Sequence, residues 1–183
     1  MKSFGIYILV IIISTVALSS VSCTCTQNQS DVEQNDLQLR KSLHISKCYA
    51  MHLIGKDSIS EGVHILDSLW SSYHVDTSIP LFIGFAYYRA GEMDSARHWL
   101  EYTERYLDSL THIQPSIGLY NDLLPLVYYL HGKEEAQKFI EDKDDAFRKT
   151  AEGFLSTVPS PDEFMKLVVN GWFDTYKQDD YVR

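Results

Sequence analysis

What this sequence most lacks is the signature of an active site. Its seven histidines include no HExxH arrangement and none at zinc-finger spacing from a cysteine. No glycine-rich phosphate loop and no nucleophile elbow occurs. Three cysteines, Cys23, Cys25 and Cys48, allow one internal bridge at most and say little about redox state. The five prolines and nine glycines fall at intervals, not in runs. Basic residues are also scarce, 16 against 25 acids, for a formal charge of −9. That balance argues against a nucleic-acid binder, which needs a basic face. It also argues against a body lying flat on anionic lipid. Acid pairs such as Glu134-Glu135 and Asp144-Asp145 read as helix-start or solvated-face charges. The expectation is a noncatalytic chain with no metal and no cofactor.

One long apolar run is present, and it comes first. Lys2 is the sole charge before Asp31, and Phe4 to Leu18 is almost wholly apolar. A basic start, a short apolar core and a small-residue end make a secretory signal. A membrane span needs roughly 20 apolar residues, more than this run offers. Ser20-Val21-Ser22-Cys23 resembles a bacterial lipobox, although Ser20 stands where leucine is usual. The resemblance implies cleavage after residue 22 and acylation of Cys23. Each buried CH₂ of an acyl chain contributes about 0.8 kcal/mol, so several chains anchor firmly. Loss of residues 1–22 removes Lys2 and no acid, which takes the formal charge from −9 to −10. Residues 23–40 are polar and free of aromatics, and read as a flexible tether. Residues 41–183 are enough for one core. Cys48 lies among apolar neighbours on a helical pattern and reads as a small buried hydrophobe; a bridge to Cys25 is the alternative.

From about Leu37 the hydrophobic period is helical, without strand-like alternation. Gly62 and Ala96 stand 34 residues apart, each followed four positions later by a leucine, Leu66 and Leu100. Ile83-Gly84-Phe85-Ala86-Tyr87, then Gly91, then Ala96 and Leu100, resembles the tetratricopeptide repeat, a 34-residue helix–turn–helix unit. Small residues at Gly84 and Ala96 suit close helix approach, and Gly91 suits a left-handed exit from the first helix. Pro80 and Asp108 stand where that family has tryptophan and proline. A weaker unit precedes it, with Ala50, Leu53, Gly62 and Leu66 at matching positions and a capping box at Ser58–Glu61. A third carries Leu124, Tyr128, Gly132, Ala136 and Ile140, with its turn one residue shorter. Pro125 falls where a small residue belongs, so this helix is expected to start late, with Asn121 as N-cap, or to kink. The units are placed at about 43–76, 77–110 and 118–145.

Helical pattern continues beyond, as one long helix or two broken near Asp144-Asp145. Ser160-Pro161-Asp162-Glu163 starts a last helix to about residue 178. Phe164, Leu167, Val168, Trp172, Phe173 and Tyr176 form its apolar stripe, opposite Asp162, Lys166, Asn170, Asp174 and Lys177. A half-polar helix of this kind caps an array. The fold expected is all-α: antiparallel helix hairpins in a superhelical array with a C-terminal capping helix.

The resemblance implies a groove lined by the first helix of each unit, holding a peptide or partner helix. By spacing, its positions are His44, Lys47 and Met51, then Phe85, Tyr88 and Arg89, then Asp122, Leu126 and Tyr129. Phe85, Tyr88 and Tyr129 would be apolar platforms, and Lys47 and Arg89 would take a carboxylate or carbonyl. With three units, the inserted loop around Thr111 to Ile117 or the cap helix could instead fill the groove and make the aromatics core. The function expected is a membrane-tethered scaffold or adaptor of the bacterial cell envelope, facing periplasm or exterior, that binds a protein or peptide. The alternative is an acidic inhibitor or immunity-type lipoprotein that neutralises a basic toxin or enzyme, whose binding should weaken steeply with salt.

Overall fold

The computed structural model describes the backbone over residues 26–74 and 76–176, and side chains from Asp36 onward. The signal segment, Cys23 and Cys25 lie outside those residues. Contacts divide the chain after Leu37. The described part of the first unit is a stretch of helix beginning at Thr26, within the segment read above as a tether. All that follows concerns the unit from Gln38.

Among the described residues there are eight helices and no strand: α1 Thr26–Gly55, α2 Ile59–Tyr73, α3 Ser78–Ala90, α4 Met93–Ile113, α5 Ile117–His131, α6 Lys133–Glu141, α7 Asp145–Thr157 and α8 Pro161–Tyr176. Successive helices from α2 to α7 pack on one another, and α8 returns onto α3 and α5. The result is an all-α array held by a single apolar core.

Two turns 34 residues apart have one hydrogen-bond pattern. After α1, the Asp57 N–H donates to Ile54 O and the Ser58 N–H to Leu53 O. After α3, the Gly91 N–H donates to Tyr88 O and the Glu92 N–H to Tyr87 O. Both are Schellman motifs, which place one left-handed residue just past the helix. Gly91 supplies it at φ 78° and Asp57 at φ 66°. Asp57 is tolerated there because its short polar side chain suits that region. Gly132 alone joins α5 to α6, at φ 85° and ψ −177°, a backbone region open essentially to glycine.

The paired helices cross at small residues. A Cβ on Gly62 would lie 2.5 Å from Ile54 Cγ1 and 2.7 Å from the Ala50 carbonyl oxygen. A Cβ on Gly84 would lie 2.9 Å from both Leu100 Cγ and Cδ2. Ala50, Leu66, Ala96 and Leu100, the counterparts of these positions, are fully buried or nearly so. The 34-residue relation is therefore a relation of packing.

Several local expectations are corrected. Helix α5 begins at Ile117, not after Asn121: Ser116 is extended and its Oγ accepts from the Leu119 N–H at 3.2 Å. Pro125 thus sits inside the helix and offers no N–H to the Asn121 carbonyl. Both residues border an open cavity, described below. The capping box at Ser58–Glu61 does not form. Ser58 belongs to the Schellman turn, and its φ −83°, ψ 58° is not the extended geometry a capping side chain needs. Of the two arrangements expected after α5, the broken one is present: α6 and α7 are separate helices, and Asp144 caps α7 through Phe147 N at 2.9 Å. In α8 the buried line is Met165, Val169 and Phe173, at i, i+4 and i+8. Leu167 and Trp172, assigned above to the buried stripe, are exposed at 67% and 45%. Cys48 is half-buried, its Sγ 3.6 Å from His44 Nε2, and so is not the sealed core residue expected.

Candidate binding surface on the first-helix face

Helices α1, α3 and α5, the first of each pair, touch one another through side chains. The Tyr88 and Tyr129 rings meet edge-to-face at 6.1 Å, which aligns α3 with α5. Lys47 Nζ lies 5.9 Å from the Phe82 ring centroid, which aligns α1 with α3. Helix α8 lies across them. Tyr128 donates its hydroxyl to Pro159 O at 2.5 Å, just before α8 begins. Further along, Trp172 packs on Phe82 at 5.3 Å between centroids, and Phe173 lies under the Arg89 guanidinium at 5.9 Å. At the far end His52 Nδ1 bonds Tyr176 O at 2.7 Å. The filled arrangement of this face is the one present.

Each expected groove residue can now be placed. Met51, Phe85 and Leu126 are core. They are not the broad platforms expected, because Met165, Val169 and Phe173 of α8 complete the same core; only an edge of Phe85 and Leu126 reaches the cavity described below. Tyr88 and Tyr129 are half-buried, and Tyr88 donates weakly to Asp162 O at 3.4 Å. Burial, with Asp162 adding to it, pushes both phenols above their ordinary range. Arg89 is engaged within the fold, through Asp57 Oδ1 at 2.9 Å and Asp174 Oδ1 at 3.9 Å. The residue that holds it, Asp57, is the left-handed turn residue one unit earlier. His44 is exposed beside Cys48.

Lys47 is likewise committed. Its Nζ donates to Asp76 Oδ2 at 2.5 Å, while Asp76 Oδ1 accepts from the Ser78 N–H and hydroxyl at the start of α3. Partial burial raises the Asp76 carboxyl, but the hydrogen bonds from Lys47 and Ser78 outweigh it and hold the group below its usual value. A carboxyl depressed in the folded state stabilises above its unfolded pKa, and that contribution is lost as pH falls through the folded value. The stability gap between wild type and Asp76→Asn should therefore be full at pH 7 and shrink below about pH 4. Urea titrations across that range measure it.

Helix α8 leaves part of the face uncovered. A cavity of about 340 Å³ opens between α3, α5 and α8, lined by Leu81, Phe85, Pro125, Leu126, Val168 and Trp172 among others. Its polar members are Asn121 and Asp122. Among the described residues Asp122 has no ion pair and no hydrogen bond. It is exposed at the opening, and the partial desolvation of its covered side pushes its carboxyl up. Thus Phe85, Asp122 and Leu126, three expected groove positions, do meet at one opening. Trp172 and Val168, which border it, were assigned above only to the cap. Their exposure could have been found from α8's pattern: the six residues named as apolar span more of the helix than one contact covers.

A second cleft, of about 440 Å³, lies by the α1–α2 and α3–α4 turns and is lined by His64, Asp67, Tyr87, Glu92 and Trp99 among others. The starts of α2 and α4 border it, and Glu92, the residue just before α4, is placed to offset helix-end charge, while Asp67 lies midway along α2. Among the described residues no group of three or more His, Cys, Asp or Glu is placed to hold a metal ion, and no helix is long and apolar enough to cross a membrane. No protein-family model, curated protein or solved structure matches the chain.

Proposed function

We propose that this chain is a noncatalytic adaptor that docks a protein or peptide segment at the cavity between α3, α5 and α8. The observation that carries this reading is an apolar opening bordered by the part-exposed Trp172 and holding one unpaired carboxylate. Pockets of roughly 300–1,000 Å³, mostly apolar with a few placed polar groups, are the usual form of a binding site. The resemblance of Ile83–Leu100 to a tetratricopeptide repeat supports peptide recognition on this face. A peptide-display selection on the purified chain tests it. Enriched sequences should lose at least about tenfold in affinity to Trp172→Glu, as for a central aromatic anchor. Equal binding to wild type and variant, with matching melting temperatures, would sink the reading.

We further propose that the chain is exported in a bacterium and anchored by acyl chains on Cys23, facing periplasm or exterior. The apolar run ending at Ser20-Val21-Ser22-Cys23 supports this. Cys23→Ser should move the protein from the membrane fraction to the soluble fraction. Continued sedimentation with membranes would mean that the apolar run itself is the anchor. The formal charge of −9 favours a basic partner, and so keeps the inhibitor reading as the second one.

A further inference from the structure

We propose that the cavity beside α8 selects a polypeptide segment in which an apolar side chain is flanked by lysine or arginine, the cation pairing with Asp122. The proposal rests on the docking reading above and specifies its ligand.

Size comes first. About 340 Å³ is near the low end for binding pockets. A helix with its side chains is about 10–12 Å across. The space therefore suits one or two side chains, and α8 already holds the berth a helix would take. Leu81, Phe85, Leu126, Val168 and Trp172 supply apolar walls for an aliphatic or aromatic side chain.

Charge then narrows the choice. Asp122 is the one charged side chain in the lining. Elsewhere on this face carboxylates have found cations: Asp57 holds Arg89 and Asp76 holds Lys47. Asp122 has no such neighbour among the described residues. Asp122 is exposed at the rim of the cavity, so its carboxylate keeps most of its water until a ligand covers it. An anionic ligand would add like-charge repulsion at short range. A neutral ligand would cover the carboxylate and strip its water without replacing it. An ammonium or guanidinium restores a partner and leaves the apolar side chain to the walls. Selection thus arises mainly by penalising the wrong charge, which is how specificity is often built.

The test uses the intact chain and three small probes: N-acetyl-Phe-Lys-amide, N-acetyl-Phe-Gln-amide and N-acetyl-Phe-Glu-amide. Binding is followed by NMR through the Trp172 indole N–H and the Leu126 and Val168 methyls. The lysine probe should bind about 3- to 5-fold more tightly than the glutamine probe, as for a partly exposed ion pair. The glutamate probe should bind most weakly. In Asp122→Asn the lysine and glutamine probes should become equal, with the glutamine affinity unchanged. The lysine advantage should also shrink as salt rises. Equal lysine and glutamine affinities in the wild type would overturn the charge selection while leaving the docking reading intact. A lysine advantage that survives Asp122→Asn would overturn the assignment to Asp122. No cavity shifts with any probe would overturn both.

Discussion

Gly84→Leu is expected to lower the unfolding free energy by about 2 kcal/mol or more, as overpacking at a helix crossing does. The reason is local and steric. Even a methyl at Gly84 would start 2.9 Å from Leu100 Cγ and Cδ2, and 3.4 Å from the Leu100 backbone nitrogen. Leu100 is fully buried, so its side chain has no solvent-facing position to retreat to. A leucine adds three more carbons along that vector and must separate α3 from α4. Helix propensity works the other way, since leucine is favoured over glycine by somewhat under 1 kcal/mol. The packing penalty has to exceed that gain, and with α3 and α4 the most extensively packed pair it does. Gly153 and Gly171 are the controls. No heavy atom lies within 4 Å of a Cβ built on either, so alanine there should stabilise by about 0.5–1 kcal/mol. Thermal melts of the three variants read the contrast. Gly84→Leu melting with wild type would mean that α3 and α4 do not cross at this residue.

Phe173→Ala should cost about 3–5 kcal/mol, the range for emptying a buried phenylalanine site. Phe173 is wholly buried and lies at the junction of α8 with α3. Its ring meets the Arg89 guanidinium at 5.9 Å, and the next residue, Asp174, approaches the same guanidinium. Truncation therefore leaves a cavity and also removes the face on which Arg89 rests. The loss should be concentrated in α8. Hydrogen exchange should show α8 opening first while α3 and α4 keep their protection. Leu167→Ala, on the exposed side of the same helix, should change stability by no more than about 0.5 kcal/mol. Equal effects at the two positions would mean that α8 does not pack as described.

These two sites also show what a sequence can carry. Gly84, Gly62 and Ala96 were legible because close approach permits only small side chains, and that demand leaves a mark at fixed spacing. Gly91 and Gly132 were legible for a related reason: each occupies backbone space that side chains oppose. Asp57 performs the same turn as Gly91 without being glycine, and its pairing with Arg89 follows from that equivalence. A left-handed position occupied by an acid was the available signal. The start of α5 lies earlier than expected because Pro125 does not end the helix: it borders the cavity between α3, α5 and α8, where the ring has room. The direction of α8 was the hardest to read. Apolar residues on that helix outnumber those that one contact buries, and spacing alone does not say which of Phe173 and Trp172 turns inward. Three expected groove positions converge on the cavity, but the remainder of the face is occupied by the cap. Whether a cap fills a groove depends on contacts between residues far apart in the chain, 124 positions for His52 with Tyr176, and no local pattern encodes them.

The most direct measurement is chemical-shift mapping of a selected peptide on the assigned methyl and aromatic spectrum of the chain. Shifts concentrated at Leu81, Leu126, Val168 and Trp172 are the predicted result. Shifts concentrated instead at His64, Tyr87 and Trp99, in the cleft beside the starts of α2 and α4, would contradict the account and place the binding surface on the other side of the array.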